Sequence, residues 1–293
     1  MRRAAPLLPA FVSLLLLTAC GSVSGGPTVA RTSVTVPPVD GVRITSKTVF
    51  SGRLPPCPDD YSAPLPTDGP EISATYEVAN EETEAFTYTI LFYFLAETGE
   101  FVDGRYETVH SVGPGATVRG TVRLGVPDPE ECPVTRVRVA EVTRVPAAEA
   151  PPAPGECPPS GLRLTVDDGT SATGLHVRGL RLENCGTRDY ALDGYPLLEP
   201  LDKDRSLVEG VQILHGSGGV STSAPGFDEP ARPLVLKPGE SAISGLMWRS
   251  AAGRVTYVRV RAQRGADPVT LTLHLDLGTT GKLAVRAWTR PPK

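Results

Sequence analysis

The feature that most constrains this chain is a succession of short segments in which apolar and polar residues alternate. The clearest segment runs from Leu271 to Leu277, where a leucine occupies every second position. Such alternation places one set of side chains on a single face of a β-strand. Turn signals separate these segments at intervals of roughly 8–12 residues, and the chain contains 30 Gly and 30 Pro. The pattern predicts an all-β fold with many turns.

A Pro- and Ala-rich segment at residues 147–156 divides the chain into two parts, and each part carries several predicted strands. Pro-rich linkers are stiff and extended, and they commonly separate folded units. We therefore predict two tandem immunoglobulin-like antiparallel β-sandwiches, at residues 41–146 and 157–293. Neither unit has the Cys-Trp-Cys spacing of antibody domains, so "immunoglobulin-like" describes the architecture alone.

The two units share an order of landmarks, which predicts one structural plan used twice. Asn80 in the first unit parallels Asn184 in the second, and the turn at Pro114-Gly115 parallels the turn at Pro238-Gly239. The second unit carries about 18 extra residues, at 216–233. Because this segment shows no alternation of its own, we expect an excursion outside the core of a complete sandwich. Shortening it should then cost little stability.

One predicted strand of the second unit changes parity along its length. Leu175 and Val177 face one way, whereas Leu180 and Leu182 face the other. Gly179 lies at the change of phase, and a glycine inside a strand often marks a β-bulge. We therefore predict a bulge at this glycine.

The segment 216–233 is the best candidate for a binding site, because long structureless loops are uncommon in compact domains and are often functional. Phe227 is its only aromatic residue, and charged residues surround it. An exposed aromatic side chain rimmed by charge suits a contact residue, while packing of Phe227 onto the sandwich is the equal alternative. The predicted binding residues are Phe227, Asp228, Arg232 and His215.

No catalytic constellation is recognisable, so we predict a protein that is not an enzyme and that needs no cofactor. His215 and Ser217 share a glycine-rich loop, which leaves a hydrolase acting on envelope peptide or glycan as one alternative. A calcium-binding module that uses Asp202, Asp204 and Glu209 is the other alternative. That stretch lacks the Gly and the closing Glu of an EF-hand loop, and no metal site is predicted.

The N-terminus has the composition of an export signal. Arg2 and Arg3 precede the apolar run Leu7–Leu17, which is too short to span a membrane comfortably. A charged start followed by a short apolar run is typical of a cleaved signal peptide, which we place at residues 1–19.

Leu17-Thr18-Ala19-Cys20 resembles the lipobox of bacterial lipoproteins. The resemblance implies cleavage before Cys20 and attachment of diacylglycerol to its sulfur. Residues 20–40 are rich in Gly, Ser, Thr, Val and Pro, and we expect them to form a flexible tether. The folded part would then lie on the outer face of the cytoplasmic membrane, held there by the lipid anchor.

Four cysteines remain after Cys20, and an even number in an exported protein indicates two disulfides. Four cysteines allow three pairings. We predict Cys57–Cys132 and Cys157–Cys185, each within one unit, because the stiff linker separates the units.

The formal net charge is −4 at pH 7, which does not suit binding to nucleic acid. An exported, lipid-anchored chain without a recognisable catalytic site points instead to a binding or structural role in the cell envelope. Besides the membrane itself, the expected partner is an unknown envelope protein or glycan.

The second unit resembles a domain of unknown function that is common in exported lipoproteins of actinobacteria. The landmarks that carry the resemblance are Cys157, Asn184-Cys185, Gly194-Tyr195-Pro196, Pro238-Gly239 and Trp248. The resemblance covers about Cys157 to Trp288. It implies a small β-sandwich and placement in the cell envelope, without an assigned activity.

Replacing Cys20 by Ser removes the sulfur to which the lipid would be attached. We expect the Cys20→Ser chain to move from the membrane fraction to the medium, which fractionation followed by immunoblotting would detect. A variant that still sediments with membranes would contradict lipidation at this cysteine.

Overall fold

The computed structural model describes residues 28–52, 54, 71–125, 132–222, 224, 226–251, 255–277 and 281–292. Within these ranges the chain forms strands and turns and no α-helix, which confirms the all-β prediction. No helix with the length and apolar character needed to cross a membrane is found in the described part of the chain.

The first unit consists of two antiparallel sheets that share one core. Its strands are β1 (Thr28–Ser33), β2 (Val42–Ser51), β3 (Ile72–Ala79), β4 (Phe86–Leu95), β5 (Phe101–Val112), β6 (Thr117–Gly125) and β7 (Arg136–Pro146). One sheet has the order β1-β2-β3-β6 and the other β5-β4-β7. Alternate residues of β3 and β4 are buried, because each of these strands turns one face toward the opposite sheet. Tyr76 and Phe92 meet across the core with ring centroids 4.9 Å apart.

The predicted flexible tether at residues 20–40 is wrong at Thr28–Ser33, because this stretch forms β1 and pairs with β2. β1 is an edge strand whose residues are mostly exposed, and Val29 packs against the core. A strand with so little apolar contact shows no alternation that sequence reasoning can detect. Cys20 and the predicted signal peptide lie outside the described residues.

The second unit has one large sheet, one smaller sheet and a short ribbon. Its strands are β8 (Leu162–Val166), β9 (Thr170–Ala172), β10 (Leu175–Asn184), β11 (Tyr190–Leu192), β12 (Leu197–Leu201), β13 (Gln212–His215), β14 (Leu234–Leu236), β15 (Ser241–Arg249), β16 (Val255–Arg261), β17 (Pro268–Leu275) and β18 (Lys282–Val285). The main sheet has the order β13-β18-β15-β10-β8, with β9 also paired to β10. The smaller sheet is β12-β16-β17, and the ribbon is β11-β14.

The main sheet has an inner face, which packs against the smaller sheet, and an outer face. The inner core includes Leu180 and Leu246 from the main sheet, and Val258 and Leu273 from the smaller one. The predicted alternation from Leu271 to Leu277 is confirmed, since all four of its leucines are buried. The prediction of purely antiparallel sheets fails at one pair, because β13 runs parallel to β18. β13 reaches the edge of the main sheet only after the chain has crossed from β12 in the smaller sheet.

The internal repeat reappears in the hydrogen bonds of Asn80 and Asn184, the only two asparagines in the chain. Both side chains are buried at the end of a strand. Each side-chain amide donates to the carbonyl four residues later and to a carbonyl that is distant in sequence. The acceptors are Glu84 and Val112 for Asn80, and Arg188 and Leu236 for Asn184, all at 2.7 or 2.8 Å.

The main chain repeats the same plan around these asparagines. The amide of Gly115 donates to the carbonyl of Asn80 at 2.8 Å, and the amide of Gly239 donates to that of Asn184 at 2.7 Å. Both glycines have positive φ, 67° and 84°, which only a glycine adopts without strain. The alignment of the two Pro-Gly turns is therefore confirmed at the level of individual hydrogen bonds.

The Pro/Ala segment 147–156 is more closely packed than the extended linker expected from its composition. Its first residues form a turn, in which the amide of Ala150 donates to the carbonyl of Pro146 at 3.0 Å. The carboxylate of Glu149 then accepts from Arg259 and from the Thr270 hydroxyl of the second unit, both at 2.9 Å. A single acidic side chain thus ties the segment to the smaller sheet of the second unit.

The predicted Cys157–Cys185 disulfide is confirmed, with the two Cα atoms 5.7 Å apart. It joins the segment before β8 to the corner that follows β10. Cys132 is also disulfide-bonded, while Cys57, the partner predicted for it, lies outside the described residues.

Replacing Asn184 by Ala removes the two amide donors and leaves the buried carbonyl of Leu236 without that partner. We expect the free energy of unfolding to fall by about 2–3 kcal/mol, measured by urea denaturation of the full chain. The Asn80→Ala variant should behave alike, since its bonds are equivalent. The control is Gln212→Ala, which removes an exposed amide and should change stability by less than about 0.5 kcal/mol. Parent-like stability of both asparagine variants would show that these corners are dispensable.

Candidate functional site

The segment 216–233, which we call the excursion, lies on the outer face of the main sheet. Phe227 is 6% exposed and Val220 is 7% exposed, so the alternative in which Phe227 packs onto the fold is correct. Both side chains pack with Met247 and Ala284, which are fully buried. The excursion lies outside the inner core, as expected, but it forms a second apolar cluster. Because the excursion buries Phe227 and Val220 against the main sheet, its packing argues against the expectation that shortening it costs little stability.

This outer cluster also explains the change of parity in β10. The strand pairs with β15 in unbroken register from Leu175 to Glu183, so the bulge predicted at Gly179 is absent. Leu175 and Val177 contact the outer cluster, whereas Leu180 and Leu182 contact the inner core. Apolar residues occur in both phases because both faces of this strand are covered.

A polar contact between Ser217 and Asp228 joins the beginning of the excursion to its later part. The hydroxyl and the backbone amide of Ser217 donate to the two carboxylate oxygens of Asp228 at 2.6 and 2.7 Å. These hydrogen bonds hold the pKa of Asp228 below its ordinary value. At the other side, Arg249 donates to the carbonyl of Val220 at 2.9 Å. The Ser217–Asp228 contact therefore closes the excursion on itself, and Arg249 ties the excursion to the main sheet.

The other two predicted binding residues, His215 and Arg232, lie outside the apolar cluster around Phe227. The ring of His215 stacks on Tyr195, with centroids 3.8 Å apart and an interplanar angle of 2°. Arg232 is exposed beside a separate hollow of about 390 Å³ that includes Arg290. Ser217 donates to Asp228, and in the described part of the chain no hydrogen bond joins it to His215. The pairing that a hydrolase would need is therefore not assembled there.

The acidic turn considered for calcium has a local structural role. One carboxylate oxygen of Asp202 accepts from the backbone amides of Asp204 and Ser206, both at 2.9 Å. This is an Asx-type turn between strands. Among the described residues, no group of three or more His, Cys, Asp or Glu side chains is placed to hold a metal ion.

An open groove of about 560 Å³ lies on the outer face of the main sheet, beside Phe227. A row of four residues crosses the sheet, one from each of four neighbouring chain segments: Asp167, Gly179, Gly245 and Arg286. The amide of Gly179 donates to Asp167 at 2.7 Å, Gly179 pairs with Gly245, and the amide of Arg286 donates to the carbonyl of Gly245 at 2.9 Å. We call this site the glycine groove, because the two glycines form its floor.

The two floor glycines make room for the groups above them. A Cβ atom on Gly179 would collide with the carboxylate of Asp167, and one on Gly245 would lie 3.1 Å from the ring of Phe227. Gly226 of the excursion packs against the guanidinium of Arg286, since its own Cβ would lie 3.0 Å from that group. The Asp167 carboxylate, the Phe227 ring and the Arg286 guanidinium can occupy these positions because each lies against a glycine, which has no side chain.

The first unit has no equivalent floor. Counting from Asn80 and Asn184, the paired residues that correspond to Gly179 and Gly245 are Thr75 and Thr121. Two threonine side chains occupy this part of the outer face in the first unit, so the space that Asp167 and Phe227 fill above the glycines belongs to the second unit.

The groove is predominantly cationic. Arg178, Arg181 and Arg286 line it, together with Asp167. Arg178 donates to the backbone carbonyl of Asp167 at 3.0 Å, and Arg181 donates to the hydroxyl of Ser241 at 2.7 Å. The Nε atom of Arg286 is buried and has no hydrogen-bond partner among the described residues. Such a site can hold an anionic group against arginine donors.

Residues 157–289 match the family described as a domain of unknown function, DUF4232. This match covers the main sheet, the excursion and the glycine groove. No curated protein matches the chain. The unknown-function C-terminal domain expected from the sequence landmarks is therefore found, and the groove lies within the DUF4232 domain.

Sequence reasoning found one residue of the glycine groove, Phe227, and missed the rest of this site in the DUF4232 domain. The unused signal was the pair of glycines inside otherwise regular strands, Gly179 and Gly245. A glycine in a strand can indicate close approach of another group as well as a bulge. Nothing local marks Arg286 or Asp167, because strand pairing alone brings them to the same row.

Replacing Phe227 by Ala should destabilise the DUF4232 domain by about 3 kcal/mol, because the ring fills the space between the excursion and the main sheet. Thermal and urea unfolding of the full chain would measure the change. Val235 is 49% exposed, so Val235→Ala is a matched control with an expected effect below about 0.5 kcal/mol. Equal stability of the two variants would mean that the excursion is not packed as described.

Proposed function

We propose that this protein is a lipoprotein of the bacterial cell envelope that binds a ligand in the glycine groove of its DUF4232 domain. In this proposal Cys20 carries the lipid and anchors the chain at the outer face of the cytoplasmic membrane. The two units are tandem immunoglobulin-like sandwiches, and the groove of the second unit is the binding surface. The role is binding, with no catalytic step.

The observation that carries this proposal is the contrast between the two units. Both follow one plan around Asn80 and Asn184, yet the second unit adds the excursion and has glycines where the first has threonines. The additions converge on one place, where they surround an open groove with Phe227 and Arg286 in its wall. Loops added to a rigid scaffold are common sites of binding.

The two alternatives receive less support from the geometry. An envelope hydrolase would need a base oriented toward the Ser217 hydroxyl, whereas His215 stacks on Tyr195 and Ser217 donates to Asp228. A calcium-binding module would need free carboxylate oxygens, whereas one oxygen of Asp202 already accepts two backbone amides. Binding in the glycine groove is therefore the function that we favour.

Site-specific photocrosslinking in the native envelope tests the binding role. Thr165 lies on the wall of the groove and is exposed, so a photoreactive residue at this position should form a defined adduct. The same residue at Val235, which is exposed outside the groove, is the matched control and should not form that adduct. Absence of an adduct at Thr165, or equal yields at both positions, would contradict a binding role for the groove.

A further inference from the structure

Strand β5 places charged side chains on the side of the core and aromatic side chains on the outer side. Arg105 and Glu107 pair with core residues of β4, and residues paired across two strands point to the same face. Phe101 and Tyr106 belong to the opposite face and are 56% and 58% exposed, more than any other Phe, Tyr or Trp that the structure describes. Inward charges protect an edge strand from unwanted pairing, but they do not account for the exposed rings. Exposed apolar clusters mark contact surfaces.

The two rings belong to the outer face of the sheet β5-β4-β7, which is built from three rows of residues. Each row contains one residue from each strand, and its members are paired with each other through β4. The rows are Arg136, Leu95 and Phe101; Arg138, Tyr93 and Gly104; and Glu141, Leu91 and Tyr106. We call this surface the aromatic face. It is apolar along β4 and β5 and charged along β7.

The side chains of the first two rows contact each other directly. The rings of Phe101 and Tyr93 meet edge to face, with centroids 5.1 Å apart and an interplanar angle of 81°. The guanidinium of Arg138 lies over the Tyr93 ring, 5.0 Å from its centroid. Gly104 has no side chain, and a Cβ atom there would lie 3.5 Å from both the Phe101 ring and the Leu91 side chain. The apolar surface therefore continues from Phe101 to Leu91, with a cation at its side.

The third row extends the line of rings onto the second unit. Tyr106 stacks on His274 of β17, with ring centroids 6.4 Å apart and an interplanar angle of 28°. The Nδ1 atom of His274 lies 3.5 Å from the carboxylate of Glu141, so the one carboxylate of the three rows faces a histidine. Rings from both units thus line one side of a single elongated surface.

Arg136 and Arg138 give the aromatic face an excess of positive charge. Both residues are exposed, and within the described ranges no hydrogen bond or ion pair joins either guanidinium to another residue. The acidic residues of the turn 96–100 lie beyond the rows, where β4 passes into β5 and away from β7. Guanidinium groups with unused donors bind carboxylates through paired, charge-assisted hydrogen bonds. The face therefore complements an anionic ligand that also has apolar surfaces.

A glycan that carries carboxylate groups combines these two properties. The faces of a sugar ring consist of C–H groups that pack on aromatic side chains, while its hydroxyls and carboxylates project from the rim. A peptide ligand gains specificity from pockets that receive its side chains, whereas here the rings project from a sheet. Single-stranded nucleic acid also stacks on aromatic rings, but the surfaces that bind it are strongly basic, and this chain has a net charge of −4.

We propose that the aromatic face binds a carboxylate-bearing glycan chain, with sugar rings packed on Phe101 and Tyr106 and carboxylates held by Arg136 and Arg138. The face lies mainly on the first unit and is separate from the glycine groove. The inference therefore goes beyond the proposed function and does not depend on it.

Calorimetric titration of the full-length protein in detergent tests the proposal with hexagalacturonate, a linear oligomer of galacturonic acid. We expect saturable binding. The methyl ester of this oligomer keeps every sugar ring and loses the negative charges, so it should bind at least tenfold more weakly, as expected for the loss of charge-assisted hydrogen bonds. Oligoglutamate and oligothymidylate carry similar charge on other backbones and should not bind. No binding of hexagalacturonate at millimolar concentration, or equal affinity for any of the other three compounds, would overturn the proposal.

Variants on the aromatic face separate the ring contact from the charge contact. Phe101→Ala should weaken the acid and its ester alike, by about fivefold or more, whereas Phe101→Trp retains a ring and should bind like the parent. Arg138→Gln should weaken the acid at least tenfold and leave the affinity for the ester unchanged. The matched controls are Val118→Ala, an exposed position on the other sheet of the first unit, and Arg232→Gln, an exposed arginine of the second unit. Both controls should bind like the parent. Parent-like binding by Phe101→Ala, or equal loss of acid and ester in Arg138→Gln, would contradict the proposal.

Discussion

The buried asparagine amide at the end of β3 in the first unit, and of β10 in the second, is the interaction on which both units depend. Each amide donates to two equivalent carbonyls and accepts the backbone amide two residues later. Asn80 also accepts the hydroxyl of Tyr88. The bonds to Val112 and Leu236 hold the strand that precedes each Pro-Gly turn. Because a buried carbonyl without a partner is costly, the corner sets the path of the chain on both sides of it.

The shared plan concerns the corner around each asparagine and does not determine the outer face of the sheet. The outer faces of the two units differ: one is charged, and the other is partly covered by an apolar cluster. In the first unit Glu77 bridges Arg43 and Arg119 across three strands, so that face remains charged. In the second unit the excursion covers part of the corresponding face with the cluster around Phe227 and Met247. The glycine groove is what remains open beside that cover. The site thus results from partial burial of a surface that the repeat leaves exposed.

The connection between the units also depends on a few directed contacts. The hydroxyl of Tyr257 accepts the backbone amide of Arg144 at 3.1 Å, and the ring packs with Val145 and Leu201 in a small apolar cluster. Glu149 adds its bonds to Arg259 and Thr270. The composition of this segment predicts only a stiff spacer. It could not predict these contacts, because a high Pro and Ala content does not indicate which groups Glu149 binds.

The sequence by itself determined the all-β class, most of the long strands, the Cys157–Cys185 pair and the repeat around the two asparagines. These features depend on local alternation, turn chemistry and cysteine parity, which are readable along the chain. Only the tertiary structure decided that β1 is a strand, that Gly179 is a groove floor, and that Phe227 is buried. The last two depend on what covers the second face of a sheet, whereas alternation with a period of two shows only one buried face. The strand β1 depends on its pairing with β2. Asp167 and Arg286 lie in the same row because the order of the strands, and not distance along the chain, determines which residues are aligned across a sheet.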